Sequence, residues 1–163
     1  MKYNPDIHDR RSIRLKGYDY STPGAYFITI CAYQRMLLFE HEEIHKIIND
    51  GWFDLPGRFV NILLDEYVIM PNHFHGIIIL IDSDKHNQAS LCNIVQAFKS
   101  ITTHKYLKSE IINRIDIPVR LWHRNYYEHI IRNDKELAAI REYIRNNPVN
   151  WLSDTDNPSN IAK

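Results

Sequence analysis

At 163 residues the chain is long enough for one domain with a self-supporting core, and its 44% hydrophobic and 25% charged content is ordinary for a globular protein. A formal net charge of zero argues against a protein that coats nucleic acid nonspecifically, because phosphate binding usually leaves a basic excess. With no apolar run long enough to span a bilayer and no charged-then-apolar leader, a cytoplasmic protein with no membrane partner is expected. The two cysteines, Cys31 and Cys92, form no CxxC pair and fall in apolar contexts, which predicts buried free thiols.

Residues 1–23 are polar and turn-rich, with a basic cluster of Arg10, Arg11, Arg14 and Lys16. Gly24 to Ala32 is rich in β-branched and aromatic residues and reads as a buried strand. From Glu42 to Trp52, the spacing of Ile44, Ile47, Ile48 and Trp52 predicts a helix, which Pro56-Gly57 breaks. Phe59 to Met70 reads as a strand, interrupted near Asp65-Glu66 by a turn, and as the hairpin partner of His73 to Ile81. After a polar loop, Ser90 is placed to cap a second helix to Leu107, with Leu91, Ile94, Val95, Phe98 and Ile101 along one side. Val119 to Ile131 is predicted as a strand. A third helix, capped by Asn133 or Asp134, runs to about Asn146, where Pro148 ends it. The order β-α-β-β-α-β plus a helix implies an α+β, ferredoxin-like (split β-α-β) antiparallel sheet, its helices on one face and the HxH strand central.

The most informative segment is Pro71-Asn72-His73-Phe74-His75-Gly76. Side chains alternate along a strand, so His73 and His75 share a face, expected to be exposed, with Phe74 on the other. Two imidazoles one pleat apart can share a divalent metal, but they do not name it, and a third ligand is needed; for an isolated HxH, two polar residues on a solvent face are the commoner case. On the last helix Tyr143 and Asn147 stand at i and i+4, bordering the core stripe of Leu137, Ile140 and Ile144. They can overhang the sheet, or they can be an edge-packed ring and a helix-ending amide.

Four segments, Gly24–Thr29, Tyr67–Gly76, Trp122–Arg132 and Tyr143–Val149, come in an order that resembles the single-tyrosine transposase superfamily with the HUH motif (histidine, hydrophobic, histidine). The branch most resembled is the one associated with repetitive extragenic palindromes in bacterial genomes. The resemblance covers roughly Gly17 to Trp151. It implies a single transposase-like domain over 1–163, with a basic arm (1–16), a catalytic core (17–151) and a polar tail (152–163). It further implies that His73 and His75 ligate a metal, that Tyr143 is the nucleophile and that Asn147 is the third ligand, with Mg²⁺ or Mn²⁺ as the cation. The implied reaction is cleavage and rejoining of single-stranded DNA near a hairpin through a 5′-phosphotyrosine, by a cytoplasmic, nucleoid-associated protein.

The expected partner is single-stranded or hairpin DNA, and the protein a monomer or homodimer. Between Leu91 and Arg132, Lys99, Lys105, Lys108, Arg114, Arg120, Arg124 and Arg132 outnumber Glu110, Asp116 and Glu128. Trp122, Tyr126 and Tyr127 among Arg120, Arg124 and Arg132 make the mixture of stacking and phosphate contact that unpaired DNA prefers. Arg10, Arg11, Arg14, Lys16 and Lys99 are the other candidate contacts, and His129 a candidate assisting residue. Two alternatives stand beside this reading: a non-catalytic, domesticated nucleic-acid-binding relative, and a phosphodiesterase that uses metal-bound water.

Overall fold

Alternation builds the sheet. The structure, a computed structural model, describes residues 14–83 and 88–161. In strand β1 (Gly24–Cys31), Tyr26, Ile28 and Ile30 point to one face, where they are fully buried, and Phe27, Thr29 and Cys31 point to the other. Strand β2 (Ile62–Met70) and strand β3 (His73–Leu80) form a hairpin, and strand β4 (Tyr127–Ile131) closes the far edge. The four strands run in the order β2-β3-β1-β4, each antiparallel to its neighbours. The fold is α+β, and the HxH strand is internal. Its register aligns Cys31 with His73, Thr29 with His75, and Phe27 with Ile77.

The two faces are covered differently. Helix α1 (Glu42–Phe53) buries Ile44, Ile48 and Trp52, and helix α2 (Leu91–Lys108) buries Leu91, Ile94, Val95, Phe98 and Tyr106. Both pack on the Tyr26, Ile28, Ile30, Phe74 and Ile78 face. Glu42 and Glu43 complement the positive end of α1, and Lys105 and Lys108 the negative end of α2. Ser90 caps α2 as expected, its hydroxyl accepting from the Asn93 N–H at 3.3 Å. After a short helix α3 (Ile111–Arg114), helix α4 (Asp134–Asn150) crosses the opposite face, its Leu137, Ile140 and Ile144 packing on Phe27, Ile77 and Ile131.

Four expectations are corrected. Asp65-Glu66 is not a turn: the register between β2 and β3 shifts from Leu64 to Tyr67, which makes it a bulge inside a continuous strand. The strand expected over Val119–Ile131 pairs only from Tyr127. Before it Trp122 makes an isolated bridge to Ala32, since the polar His123-Arg124-Asn125 run has no apolar face to bury. Helix α4 continues through Pro148 to Asn150, because proline fixes φ at a helical value and only one N–H is lost in the last turn. The last segment folds too. A turn over Trp151–Ser153 and helix α5 (Pro158–Ile161) follow α4, and Asn157 between them is 6% exposed.

Candidate active site

The face beneath α4 is not open. His73 and His75 are 1% and 3% exposed, which corrects the expectation that they stand in solvent. Their rings lie 4.5 Å apart. Phe27 stacks on His75 at 5.2 Å. Above them lie α4 and the turn that follows it. The Tyr143 ring is 5.4 Å from His75, with its hydroxyl 3.4 Å from His75 Nε2, and the Trp151 ring is 6.1 Å from His73. Asn147, one turn from each, therefore faces the histidine pair, and it is buried. Tyr143 thus meets the His73–His75 pair within a single chain, and Asn147 is buried one turn further along α4.

Burial sets the electrostatics. Desolvation disfavours the imidazolium and pushes His73 down to about 4. His75 is pushed down to about 3, by burial first and by neighbouring His73 second. Both are neutral at physiological pH, the form that binds metal. Among the described residues no third His, Cys, Asp or Glu joins the pair in a metal-holding group, so a third protein ligand would have to be an amide or hydroxyl. Asn147 Oδ1 and His73 Nε2 are both buried without a hydrogen-bond partner. Orphaned acceptors are costly in a folded core. Their presence here fits a pair of lone pairs reserved for a cation, and two imidazoles with one amide oxygen suit a borderline-to-hard divalent ion.

The β2 bulge locks α4 in place. It presents Asp65 and Glu66 to the helix, where Arg141 donates to both Asp65 oxygens, Nε at 3.0 Å and Nη2 at 2.5 Å, and Arg145 pairs with Glu66. Arg141 and Arg145 bracket Tyr143, so the two ion pairs fix the rotation of α4 about its axis. The Arg141 guanidinium holds the Asp65 carboxyl below the usual carboxylate range. At the other end, Asn133 caps α4 through the Glu136 N–H at 2.9 Å, and Glu136 binds His129 at 2.6 Å and the Arg132 N–H at 2.7 Å. His129, the candidate assisting residue, is thereby engaged at the start of α4.

The family model described as "Transposase IS200 like" matches residues 25–147, a span running from β1 to Asn147. This chain belongs to that family, the IS200-like, HUH-type tyrosine transposases. It is 38% identical to an uncharacterized protein of Haemophilus influenzae, the match covering 94% of this chain and 96% of that one. Its fold is similar to that of a REP-associated tyrosine transposase bound to a REP hairpin (TM-score 0.61, 20% identity, 83% of this chain and 72% of that one). It is also similar to that of a candidate transposase from Deinococcus radiodurans R1 (TM-score 0.50, 19% identity, 82% and 97% of the two chains).

Not every transposase-like candidate contact is presented for DNA. Trp122 is 6% exposed, its ring packed on Phe39 and Phe98 and its indole N–H donating to Thr102 at 2.8 Å, which leaves no face for a base. Lys99 is turned inward: its Nζ donates to the His123 and Arg124 carbonyls, each at 2.8 Å, and burial lowers its pKa to about 8. It anchors the loop that carries His123 and Asn125 into the cleft beside Tyr143. Tyr126 is half-buried, its hydroxyl directed at Cys92 and Arg14, with the Arg14 guanidinium 5.4 Å from its ring. Tyr127 points to the site face opposite Thr29 and is 50% exposed, and it lines the cleft with His75 and Tyr143. Arg120 lies over the Tyr33 ring, while Arg124, Arg132 and Lys16 are exposed. Arg10 and Arg11 lie outside the described residues.

Sequence reasoning misses Arg35, Asp156, Thr29 and Asn72 as parts of the site. Arg35 pairs with Asp156 across the cleft and sits, like Gln34, at positive φ (54° and 52°), which is unusual for side-chain-bearing residues. The signal available for Asp156 is local. Asn157-Pro158 is a helix-start pattern, and the Asn157 carboxamide accepts from the Ser159 N–H at 3.0 Å.

Proposed function

We propose that this protein is a metal-dependent transesterase of single-stranded DNA that cleaves and rejoins strands near a hairpin. The observation that carries the reading is the Tyr143 hydroxyl set 3.4 Å from its own chain's His75, above two neutral, buried histidines. His73, His75 and Asn147 would hold a divalent cation, Mg²⁺ or Mn²⁺. When bound, that cation neutralises charge on the scissile phosphate and orients it for in-line attack. Tyr143 supplies the nucleophile. Its oxygen bonds to phosphorus as the phosphorus–O3′ bond breaks; the phenol releases its proton, and the departing O3′ takes one up. One phosphodiester replaces another, so a 3′-hydroxyl can reverse the step without ATP.

Exposed Tyr127 offers a stacking surface at the cleft, and the exposed Lys16, Arg120, Arg124 and Arg132, with Arg14 beside Tyr126, are the candidate phosphate contacts. The strand order β2-β3-β1-β4 with antiparallel neighbours supports the ferredoxin-like reading of the topology. No helix among the described residues is long and apolar enough to cross a membrane; the nucleoid-associated role in the cytoplasm follows from the proposed DNA substrate. The REP-associated transposase of similar fold is bound to a REP hairpin, which points to hairpin DNA as the substrate class.

The test is a covalent adduct. Wild-type protein incubated with a hairpin-bearing oligonucleotide and Mn²⁺ is expected to give a DNA-shifted band on a denaturing gel. Tyr143→Phe is expected to abolish the band while hairpin binding persists. Cleavage retained by Tyr143→Phe would favour metal-bound water as nucleophile instead, and binding without any cleavage by wild type would favour the non-catalytic relative.

A further inference from the structure

Each motif histidine has its second ring nitrogen already engaged, and the partners determine where the proton sits. The Asn72 amide is oriented unambiguously. Its Nδ2 donates to the Asp156 carbonyl at 2.8 Å and the Arg35 carbonyl at 3.3 Å, groups that only accept. Asn72 Oδ1 is therefore the atom 2.8 Å from His73 Nδ1, and since it cannot donate, Nδ1 carries the proton. Asn72 is 1% exposed, so water does not compete. The consequence is a bare His73 Nε2, the atom found buried and unpartnered. For His75, Thr29 Oγ1 lies 2.8 Å from Nδ1, while Nε2 faces the Tyr143 hydroxyl. A phenol is the better donor of the two hydroxyls, so the consistent arrangement has Thr29 accepting from Nδ1–H and Nε2 bare.

We propose that Asn72 and Thr29 are positioning residues that fix both motif histidines in the Nδ1–H tautomer, which leaves both Nε2 atoms unprotonated, the form in which they can ligate a cation. The inference rests on reading His73 and His75 as metal ligands. It adds a dependence that the motif alone does not contain. Asn72 is itself held by the turn at Arg35 and by the segment after α4, so the geometry of one ligand is anchored by a residue more than eighty positions downstream. Partners of this kind raise ligand basicity and fix ring orientation, and their loss typically costs about tenfold to a hundredfold in metal affinity.

The test combines nitrogen-15 NMR of the imidazoles in metal-free protein with calorimetric titration of Mn²⁺. In wild type, both His73 and His75 are expected to be protonated at Nδ1. Thr29→Val, nearly isosteric but unable to accept, is expected to shift His75 alone toward the Nε2–H form and to weaken Mn²⁺ binding about tenfold to a hundredfold. Thr29→Ser is expected to restore both. Asn72→Leu is expected to act in the same way on His73 alone. Because Asn72→Leu also strands two carbonyls, the Thr29 pair decides the matter if that variant does not fold. Wild-type histidines protonated at Nε2, or a Thr29→Val protein that binds Mn²⁺ as Thr29→Ser does, would overturn the proposal. Wild-type protein with the expected tautomers and no Mn²⁺ binding is a different failure: it would overturn the metal reading, and with it the purpose assigned to the two tautomers.

Discussion

Mild acid is expected to destabilise this protein through His73 and His75. Burial holds them at about 4 and about 3 in the folded state, down from 6.5. In the unfolded chain each takes up a proton near pH 6.5, so below that value the unfolded state binds more protons than the native one. Stability is therefore full above about pH 6.5, falls as pH drops, and levels off only near the folded values. Each group contributes a slope of about 1.4 kcal/mol per pH unit inside that window. Between about pH 7.5 and pH 5 the two together remove roughly 4 kcal/mol, a large part of a typical stability of about 5–15 kcal/mol. Asp65 and Glu136, held below the usual carboxylate range by hydrogen bonds, respond at more acid pH. Urea unfolding of wild type should thus lose about 4 kcal/mol between the two pH values. A His73→Gln/His75→Gln double variant, similar in size and unable to titrate, should lose far less, whatever its starting stability. An equal loss in both proteins would refute the assignment of buried, neutral histidines.

Gly76→Ala is expected to cost about 1–3 kcal/mol by thermal or urea unfolding, because its Cβ would meet the Phe74 and Trp52 rings at 2.8 Å and both rings are fully buried. Asp65→Asn should cost only about 0.5–1 kcal/mol, since Arg141 is partly exposed, but it should slow adduct formation more than it weakens hairpin binding, because it loosens α4. A mixture of Tyr143→Phe and His75→Ala proteins should form no adduct, since Tyr143 faces His75 of its own chain; restored activity on mixing would show that the helix is exchanged between subunits.

The sequence is most legible where the period of a single element carries the information. The alternation in β1 and β3 puts His73 and His75 on one face, and the helical spacing of Leu137, Ile140 and Ile144 turns Tyr143 and Asn147 toward the sheet. What cannot be read there depends on pairing. Thr29 becomes a partner of His75 only through the β1–β3 register, and Asp65-Glu66 looks like a turn until the register shift shows that its carboxylates are aimed at Arg141 and Arg145. Trp122 misleads for a physical reason: an aromatic beside arginines suits DNA stacking and core packing equally well, and only burial against Phe39 and Phe98 distinguishes the two. The last segment reads as a polar tail because its side chains are polar, yet asparagine and aspartate build structure by bonding to backbone, as Asn157 does with the Trp151 carbonyl at 3.0 Å.

In the proposed mechanism, burial of the ligands His73 and His75 and exposure of the nucleophile Tyr143 are two halves of one requirement. A metal site that must stay selective and neutral benefits from the low dielectric beneath α4, where water does not compete for His73 Nε2. A nucleophile that must reach a DNA backbone cannot share that burial, because the polymer does not fit under a helix. Tyr143 resolves the conflict by standing at the edge of α4. It is 50% exposed, one flank against His75 and the other facing the cleft lined by Tyr127, His123 and Asn125. The phosphate then needs to enter only as far as the rim, and the precision of the site depends on how firmly α4 is held at the sheet. On the proposed mechanism the Asp65–Arg141 and Glu66–Arg145 pairs, which hold α4 at the sheet, serve the chemistry as well as the fold.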